Sequence, residues 1–187
     1  MNDILRAIHE RRSIRKYQDK PVSKETLERI VEAGLWAPSG MNRQPWHLTV
    51  VRGRVLIDRI NAELKAAVER MPENRYKAFV GNEAYHVSFK APVFLIVSAD
   101  PAAPTHEYDS ACVLQNIFLA AHSLGVGSCW VNQLGSVCEE AGFRALLDSV
   151  GVPSGHYVHG ATSLGYATDD ANPKVPPRKE GTVNWAE

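Results

Sequence analysis

The sequence lacks the features that mark several broad classes of protein. Its 187 residues include 21 basic and 21 acidic side chains, so its formal net charge is zero, which argues against a general nucleic-acid binder. No apolar run approaches the roughly 18–20 residues of a membrane span, and the amino terminus has no apolar signal-peptide segment. We therefore expect a cytoplasmic protein with no nucleic-acid partner and no membrane partner.

Cysteine and the common catalytic motifs are also scarce. Cys112, Cys129 and Cys138 are an odd number with no CxxC pair, so they predict neither a disulfide framework nor a zinc site but small buried hydrophobic residues. The seven histidines show no ligand spacing such as HExxH, and no P-loop, Gly-x-Gly-x-x-Gly fingerprint or Ser–His–Asp set is visible. We therefore expect no metal and no essential protein acid or base.

A dense basic stretch, Arg11-Arg12-Ser13-Ile14-Arg15-Lys16-Tyr17, is the most informative part of the chain. The rigid fork of arginine and the hydroxyl of serine match the oxygens of a phosphate monoester. A solvated basic face and a nucleic-acid patch are the alternatives. Because the net charge is zero, the positive charge here is local, which favours a compact anionic ligand over a polyanion.

A second polar segment runs from Ala37 to Trp46 and leads into a β-rich run over 46–51. It contains two prolines, one glycine and four side chains that can donate hydrogen bonds. Turns also favour such residues, but this density exceeds what a turn requires. Polar loops that enter buried strands often carry binding residues, so we interpret this segment as a binding loop.

Hydrophobic periodicity predicts an α+β protein in which helices cover one central sheet. Helix 54–70 should turn Val55, Leu56, Ile60, Leu64 and Val68 inward, and residues 71–90 should form a mobile lid or a wall. The tail, with apolar Val183 and Trp185, should be extended and lie across a partner subunit. The predicted helices cover about 2–11, 24–36, 54–70, 109–124 and 139–150, and the strands cover 46–51, 92–99, 126–134 and 157–166.

Three separated segments resemble the FMN-dependent nitroreductase family, in the same order and over nearly the whole chain. Residues 11–15 resemble its Arg-Arg-Ser-x-Arg signature, and residues 38–46 are similar to its Pro-Ser-x-x-Asn-x-Gln-Pro-Trp loop. Residues 164–166 and 177–179 are similar to its Leu-Gly-Tyr strand and to the Arg/Lys that closes on the phosphate. The family often has a second serine where this chain has Gly40.

The resemblance implies a nitroreductase-like sandwich with a central mixed, mainly antiparallel sheet, formed by one domain over 1–187. It also implies an intertwined homodimer in which the tail, about 167–187, wraps the partner. Two FMN sites would lie at the interface, each built from both subunits, with Ser39 and Asn42 coming from the other subunit. Asn82 and His86 are candidates for a ribityl contact. The implied cofactor-binding residues are Arg11, Ser13 and Arg178 at the phosphate, Arg12 and Arg15 at the flavin and ribityl chain, Pro38, Ser39, Asn42 and Gln44 in the loop, Trp130, Val131 and Asn132 at the flavin face, and Gly165 in the last strand.

The expected function is an oxidoreductase of ping-pong type. NADH or NADPH would reduce the flavin at N5, and an electron-poor small molecule such as a nitroaromatic or quinone would then accept the electrons. A cation near flavin N1–C2=O, Arg12 or Arg15, would raise the reduction potential. Trp36, Met41, Trp130 and residues 71–90 would shape the pocket. The alternatives are a flavin-handling protein without a dedicated organic acceptor and a basic-arm nucleic-acid module.

Overall fold

A computed structural model describes residues 1–171, 173 and 175–186. Within these residues the chain forms helices and strands in the expected α+β pattern, joined by two short 3₁₀ turns at Gly40–Asn42 and Gln133–Ser136. The helices are α1 (Asp3–Glu10), α2 (Lys24–Leu35), α3 (Arg54–Arg70), α4 (Lys77–Val80), α5 (His106–Ser123) and α6 (Ala141–Ser149); the strands are β1 (Trp46–Arg52), β2 (Val93–Ala99), β3 (Gly127–Val131) and β4 (Tyr157–Gly165).

The four strands form one sheet in the order β1-β2-β4-β3, and each neighbouring pair is antiparallel. The parallel component of the expected mixed sheet is limited, among the described residues, to one bridge between Ser13 and Ser128. That bridge attaches the basic stretch to the outer edge of β3. The predicted α+β sandwich is therefore confirmed.

Each face of the sheet carries its own hydrophobic core. Phe94 and Ile96 of β2 pack with α3 and α6, whereas Leu95 and Val97 pack with α2 and α5. Because strand side chains alternate between faces, a central strand covered on both sides must be apolar throughout, which explains the continuous run in β2. The cysteines are free; Cys129 and Cys138 are buried and Cys112 is partly buried.

The inward side of α3 differs from the prediction in its first turn, where Leu56 is only partly buried, and at Ala67, which the prediction left out. Val55 is 86% exposed, and the buried stripe is instead Ile57, Ile60, Leu64, Ala67 and Val68. Residues 55–57 are all apolar, so pattern alone does not decide which of them turns inward. The three-residue step from Ile60 back to Ile57 keeps both side chains on one helix face. β3 is also shorter than predicted, because a 3₁₀ turn follows Val131.

Two regions leave apolar side chains uncovered in a single chain. None of the residues of α1 is buried, and Ile4 is 70% exposed. The described part of the tail contains no helix or strand, and Trp185 is 88% exposed. Residues 172, 174 and 187 of the predicted tail lie outside the described residues. No helix in the described part of the chain is long and apolar enough to cross a membrane.

Candidate functional site

The basic stretch lies against the sheet because two facing glycines leave room for it. Gly127 of β3 and Gly165 of β4 are register partners. A Cβ on Gly127 would lie 2.9 Å from Ile14 Cγ1, and one on Gly165 would lie 2.9 Å from Tyr17 Cδ1. The Ile14 amide can thus donate to the Ser128 carbonyl at 2.9 Å. Gly165 thus has a packing role, and its assignment as an FMN contact stays a prediction.

Tyr17 holds the carboxyl end of the basic stretch in place through two contacts. Its hydroxyl donates to the Ile14 carbonyl at 2.6 Å, and its backbone bridges to Ala167 at the start of the tail. Burial raises the pKa of Tyr17, so the phenol stays neutral and remains a hydrogen-bond donor. The backbone of residues 13–17 is therefore fastened at both ends, at Ser128 and at Ala167.

Four arginines of the chain line one cavity of about 480 Å³, and no acidic side chain is among the described residues that line it. Lys16, the fourth cation of the basic stretch, instead pairs with Asp170 at 2.6 Å. Within the described residues, none of the four arginines forms a salt bridge. The cavity therefore carries uncompensated positive charge, which fits a phosphate. Its lining is Arg11, Arg12, Ser13, Arg15, Ala171, Pro173, Pro176 and Arg178.

Arg12 differs from the other three arginines because it is partly engaged by backbone. Its Nη1 donates to the carbonyls of His9 and Arg11, at 2.6 and 2.8 Å, at the carboxyl end of α1. Its Nε is buried and has no hydrogen-bond partner among the described residues. A buried donor costs free energy until a partner satisfies it, and a ligand oxygen in the cavity is the candidate partner.

The binding loop is held by internal hydrogen bonds and adopts an uncommon backbone. The Ser39 hydroxyl accepts from the Gln44 amide at 3.0 Å, and the Gln44 side chain donates to Asn42 Oδ1 at 2.9 Å. Met41, Asn42 and Gln44 have φ values of 54°, 53° and 47°, in the left-handed region that non-glycine residues rarely adopt. Such strain is concentrated at functional sites. Exposed Pro38 opens the loop.

A buried carboxylate anchors this loop to the start of α5. The Gly40 amide donates to Asp109 Oδ1 at 3.1 Å, and the Thr105 hydroxyl donates to Asp109 Oδ2 at 2.9 Å. A Cβ on Gly40 would lie 2.3 Å from Thr105 Oγ1. This packing explains the glycine at the position where a second serine was expected from the resemblance, because this loop has no room for its side chain.

The basic stretch and the binding loop lie at opposite ends of α5 within one chain. Asp109 holds the loop, whereas Phe118 lies beneath Arg11, with the guanidinium carbon 5.9 Å from the ring centroid. Nine positions of helix separate Asp109 from Phe118, which is about 14 Å. The loop also leads into β1, at the other edge of the sheet from the basic stretch. One chain therefore does not bring these two predicted parts of the site together.

The predicted flavin-face segment lies near the basic stretch. The Trp130 ring is 41% exposed, and its centroid is 5.9 Å from that of Phe118, the same ring that underlies Arg11. Val131 is buried in the core of the sheet, and Asn132 is exposed just beyond the strand. The structure thus places the end of β3 on the same side of the molecule as the arginine cavity.

Residues 82–90 form the wall of a second cavity of about 410 Å³, which Arg15 also lines. His86 is an unsuitable ribityl ligand because Asp58 contacts its Nε2 at 3.0 Å and Ser88 contacts its Nδ1 at 3.0 Å. Burial lowers the pKa of His86, although Asp58 opposes the shift. Asn82 lines the cavity. The sequence predicted a mobile lid or a wall over residues 71–90, and in the structure side chains of α3 hold residues 82–90 as a wall. In the described ranges, no group of three His, Cys, Asp or Glu residues could hold a metal ion.

Comparisons with known proteins support the family resemblance and the fold. A family model described as the nitroreductase family matches residues 8–166. An Archaeoglobus fulgidus protein, provisionally named NADH dehydrogenase/NAD(P)H nitroreductase, is 34% identical over 175 residues, 91% of this chain and 88% of its own. A nitroreductase with bound FMN from Bacteroides fragilis is 39% identical, with a TM-score of 0.96 over the whole of both chains. Another with bound FMN, from Desulfitobacterium hafniense, is 29% identical, with a TM-score of 0.86 over both whole chains.

Proposed function

Because this chain belongs to the nitroreductase family, we propose that it is an FMN-dependent oxidoreductase that carries electrons from NADH or NADPH to an electron-poor small molecule. The observation that carries the proposal is the cavity with four arginines, one serine and no acidic side chain among its described lining residues. A phosphate monoester carries roughly −1.5 to −2 charge near neutral pH, and FMN ends in one. The names of the relatives and the FMN bound by the neighbouring structures support the same conclusion.

The arginines divide between two roles in this proposal. Arg11, Ser13 and Arg178 bind the phosphate. Arg15 is the better candidate for the ring end of the cofactor, because it lines both cavities, whereas Arg12 is engaged by two carbonyls of α1. Arg12 then contributes its charge and its Nε, which has no hydrogen-bond partner in the described part of the chain. The four guanidinium groups bind and orient the cofactor without taking part in proton transfer.

Trp130, Val131 and Asn132 form the wall for the flavin ring. Bound FMN supplies the two-electron chemistry at its N5, and the protein determines what can approach that atom. We propose that the nicotinamide and the acceptor occupy the same space in turn, so that the reaction proceeds as two half-reactions. The exposed Trp130 ring and the wall of residues 82–90 limit the size and shape of the acceptor.

The proposal includes a homodimer in which each site draws on both chains. Pro38, Ser39, Asn42 and Gln44 are placed at the far end of α5 from the arginine cavity, so a second copy of the chain would supply them. The uncovered apolar face of α1 and the exposed Trp185 are the surfaces that such a partner would cover. The tail that begins after β4 would reach across this interface.

The test is an absorbance spectrum of the protein reconstituted with FMN, taken before and after anaerobic NADH or NADPH. We expect bound flavin whose visible bands bleach with at least one nucleotide and return when a nitroaromatic or quinone is added. Bound flavin that neither nucleotide reduces would contradict the oxidoreductase role and favour a flavin-handling protein. A protein that retains no FMN after reconstitution would contradict the whole proposal.

A further inference from the structure

The turn at residues 39–44 of the binding loop has few attachments to the rest of the chain. Its hydrogen bonds, such as that from the Asn42 amide to the Ser39 carbonyl at 3.0 Å, run mostly between its own members. Among the hydrogen bonds of the described residues, only that from the Gly40 amide to Asp109 Oδ1, at 3.1 Å, joins this turn to another element. The internal bonds therefore hold the shape of the turn, whereas Asp109 determines where the turn lies.

The turn depends on this attachment because its backbone is strained and its side chains are exposed. Three of its residues have left-handed backbone, a conformation that persists only where the surroundings enforce it. Residues 41–44 are all exposed, so burial contributes little to holding them. An added Cβ on Gly40 would lie 2.3 Å from Thr105 Oγ1, so the turn packs directly against the residue that precedes α5.

Asp109 is itself held firmly, as a positioning residue must be. It is 5% exposed and lies in the first turn of α5, where the helix dipole favours a carboxylate. The Thr105 hydroxyl donates to its Oδ2 at 2.9 Å, and no salt bridge of the described residues includes it. The same turn of α5 is attached to β4, since His106 Nδ1 lies 2.8 Å from His159 Nε2. A buried carboxylate without a cation depends on its hydrogen-bond donors, and Gly40 is one of the two described here.

We propose that Asp109 is a positioning residue of the flavin site, which keeps Ser39 and Asn42 where they can bind FMN. It acts through the Gly40 amide and not by contact with the cofactor. Because the proposed function takes these loop residues from a second copy of the chain, Asp109 of one copy acts on the cofactor that the arginines of the other copy hold. This inference rests on the proposed function.

The test combines hydrogen–deuterium exchange of the protein without FMN and a titration with FMN. Asp109→Ala should speed exchange at residues 39–44 about 10–100-fold, the effect of losing one hydrogen bond to a charged acceptor, while exchange in α3 stays the same. It should weaken FMN binding about tenfold, because fewer molecules hold the turn in the form that binds. Asp109→Asn keeps an oxygen that accepts from the Gly40 amide, so both quantities should stay within about threefold of the wild type.

Two further variants make the test specific. The matched control is Ser110→Ala, because Ser110 is the buried neighbour of Asp109 and its hydroxyl donates within α5, to the His106 carbonyl at 2.7 Å. This control should change neither the exchange at residues 39–44 nor the affinity for FMN. Thr105→Val keeps the shape of the side chain and removes the other donor to Asp109, so it should speed exchange at the same residues by a smaller factor. It replaces Asp109→Ala if that variant does not fold.

The possible results separate this inference from the proposed function. If Asp109→Ala leaves the exchange at residues 39–44 unchanged, or if Asp109→Asn behaves like Asp109→Ala, the assignment of Asp109 is wrong while the oxidoreductase role stands. The same conclusion follows if exchange becomes faster but the affinity for FMN does not fall. If Thr105→Val has to replace Asp109→Ala and does not speed exchange, the assignment is also wrong. If the wild type binds no FMN, both proposals fail together.

Discussion

Replacing Gly165 by alanine tests whether close packing against the sheet holds the basic stretch in place. Gly165 is buried, and an added Cβ would lie 2.7 Å from Pro92 Cδ and 2.9 Å from Tyr17 Cδ1. Neither neighbour is the end of a flexible chain, because Pro92 is a ring and the Tyr17 hydroxyl is bonded to the Ile14 carbonyl. The methyl group therefore displaces the segment that carries the arginines.

The expected loss of stability follows from two opposing terms. Adding a methyl group to a well-packed site costs about 2 kcal/mol, and replacing glycine by alanine recovers about 0.5 kcal/mol through the unfolded state. The net loss in the free energy of unfolding is about 1.5 kcal/mol, which for a chain of this length lowers Tm by about 3–6 °C. FMN should also bind several-fold more weakly, because the displaced segment includes Arg11 and Ser13.

Thermal denaturation followed by circular dichroism, together with FMN titration, measures both effects. The matched control is Gly81→Ala, because Gly81 has a helical φ of −68° and an added Cβ would meet only the Lys77 carbonyl, at 3.3 Å. We expect the control to keep or slightly raise Tm. If Gly165→Ala unfolds at the same temperature as the control and binds FMN as tightly as the wild type, the packing argument is refuted.

Three further predictions concern charge. Arg178→Gln should weaken FMN binding by about 10–100-fold, because one charged hydrogen bond contributes about 1.5–3 kcal/mol. Lys16→Gln should weaken it far less. Equal losses of affinity in a fluorescence titration would contradict the assignment of Arg178 to the phosphate. Hydrogen bonds from Arg70 lower the pKa of Glu140 to about 2, from 4.5. The stability lost in Glu140→Gln should therefore be largest above pH 4.5 and vanish as pH falls toward 2. A difference in Tm that does not change with pH would contradict this prediction. Burial lowers the pKa of His159 below 6.5, so the unfolded chain takes up this proton first as pH falls. The urea midpoint should therefore drop as pH falls through 6.5, and His159→Gln should reduce that drop. An unchanged drop would mean that other groups cause it.

Local periodicity was enough to predict most of the fold. The predicted bounds of α3 agree with the structure, because its apolar residues repeat at helical spacing over 17 residues. The strand predicted over 92–99 is β2, and both cores contact it. The error at Val55 arose where three consecutive apolar residues made the inward face ambiguous. Such ambiguity is removed only by the sheet against which the helix packs.

The candidate site was predictable in part, and the resemblance supplied what periodicity did not. It assigned Arg11 and Arg178 to one phosphate site, and the structure places both in one cavity although they are far apart in sequence. For residues 71–90 the sequence left a lid and a wall as alternatives, because the polar side chains of α3 that hold residues 82–90 have the spacing of an ordinary solvated helix face. Gly165 was predicted to bind the cofactor, but its packing role depends on Tyr17, which pattern alone does not place.

The separation of the arginine cavity and the binding loop along α5 has a consequence for damaged copies of the chain. If each site combines the arginines of one copy with the loop of another, two copies with different defects can together form one intact site. A mixed dimer of an Arg11→Gln chain and an Asn42→Ala chain concentrates both defects in one site and leaves the other site intact. Refolding the two variants together should therefore restore FMN binding that neither has alone, so a loss-of-function change in one part could be masked by an opposite change in its partner.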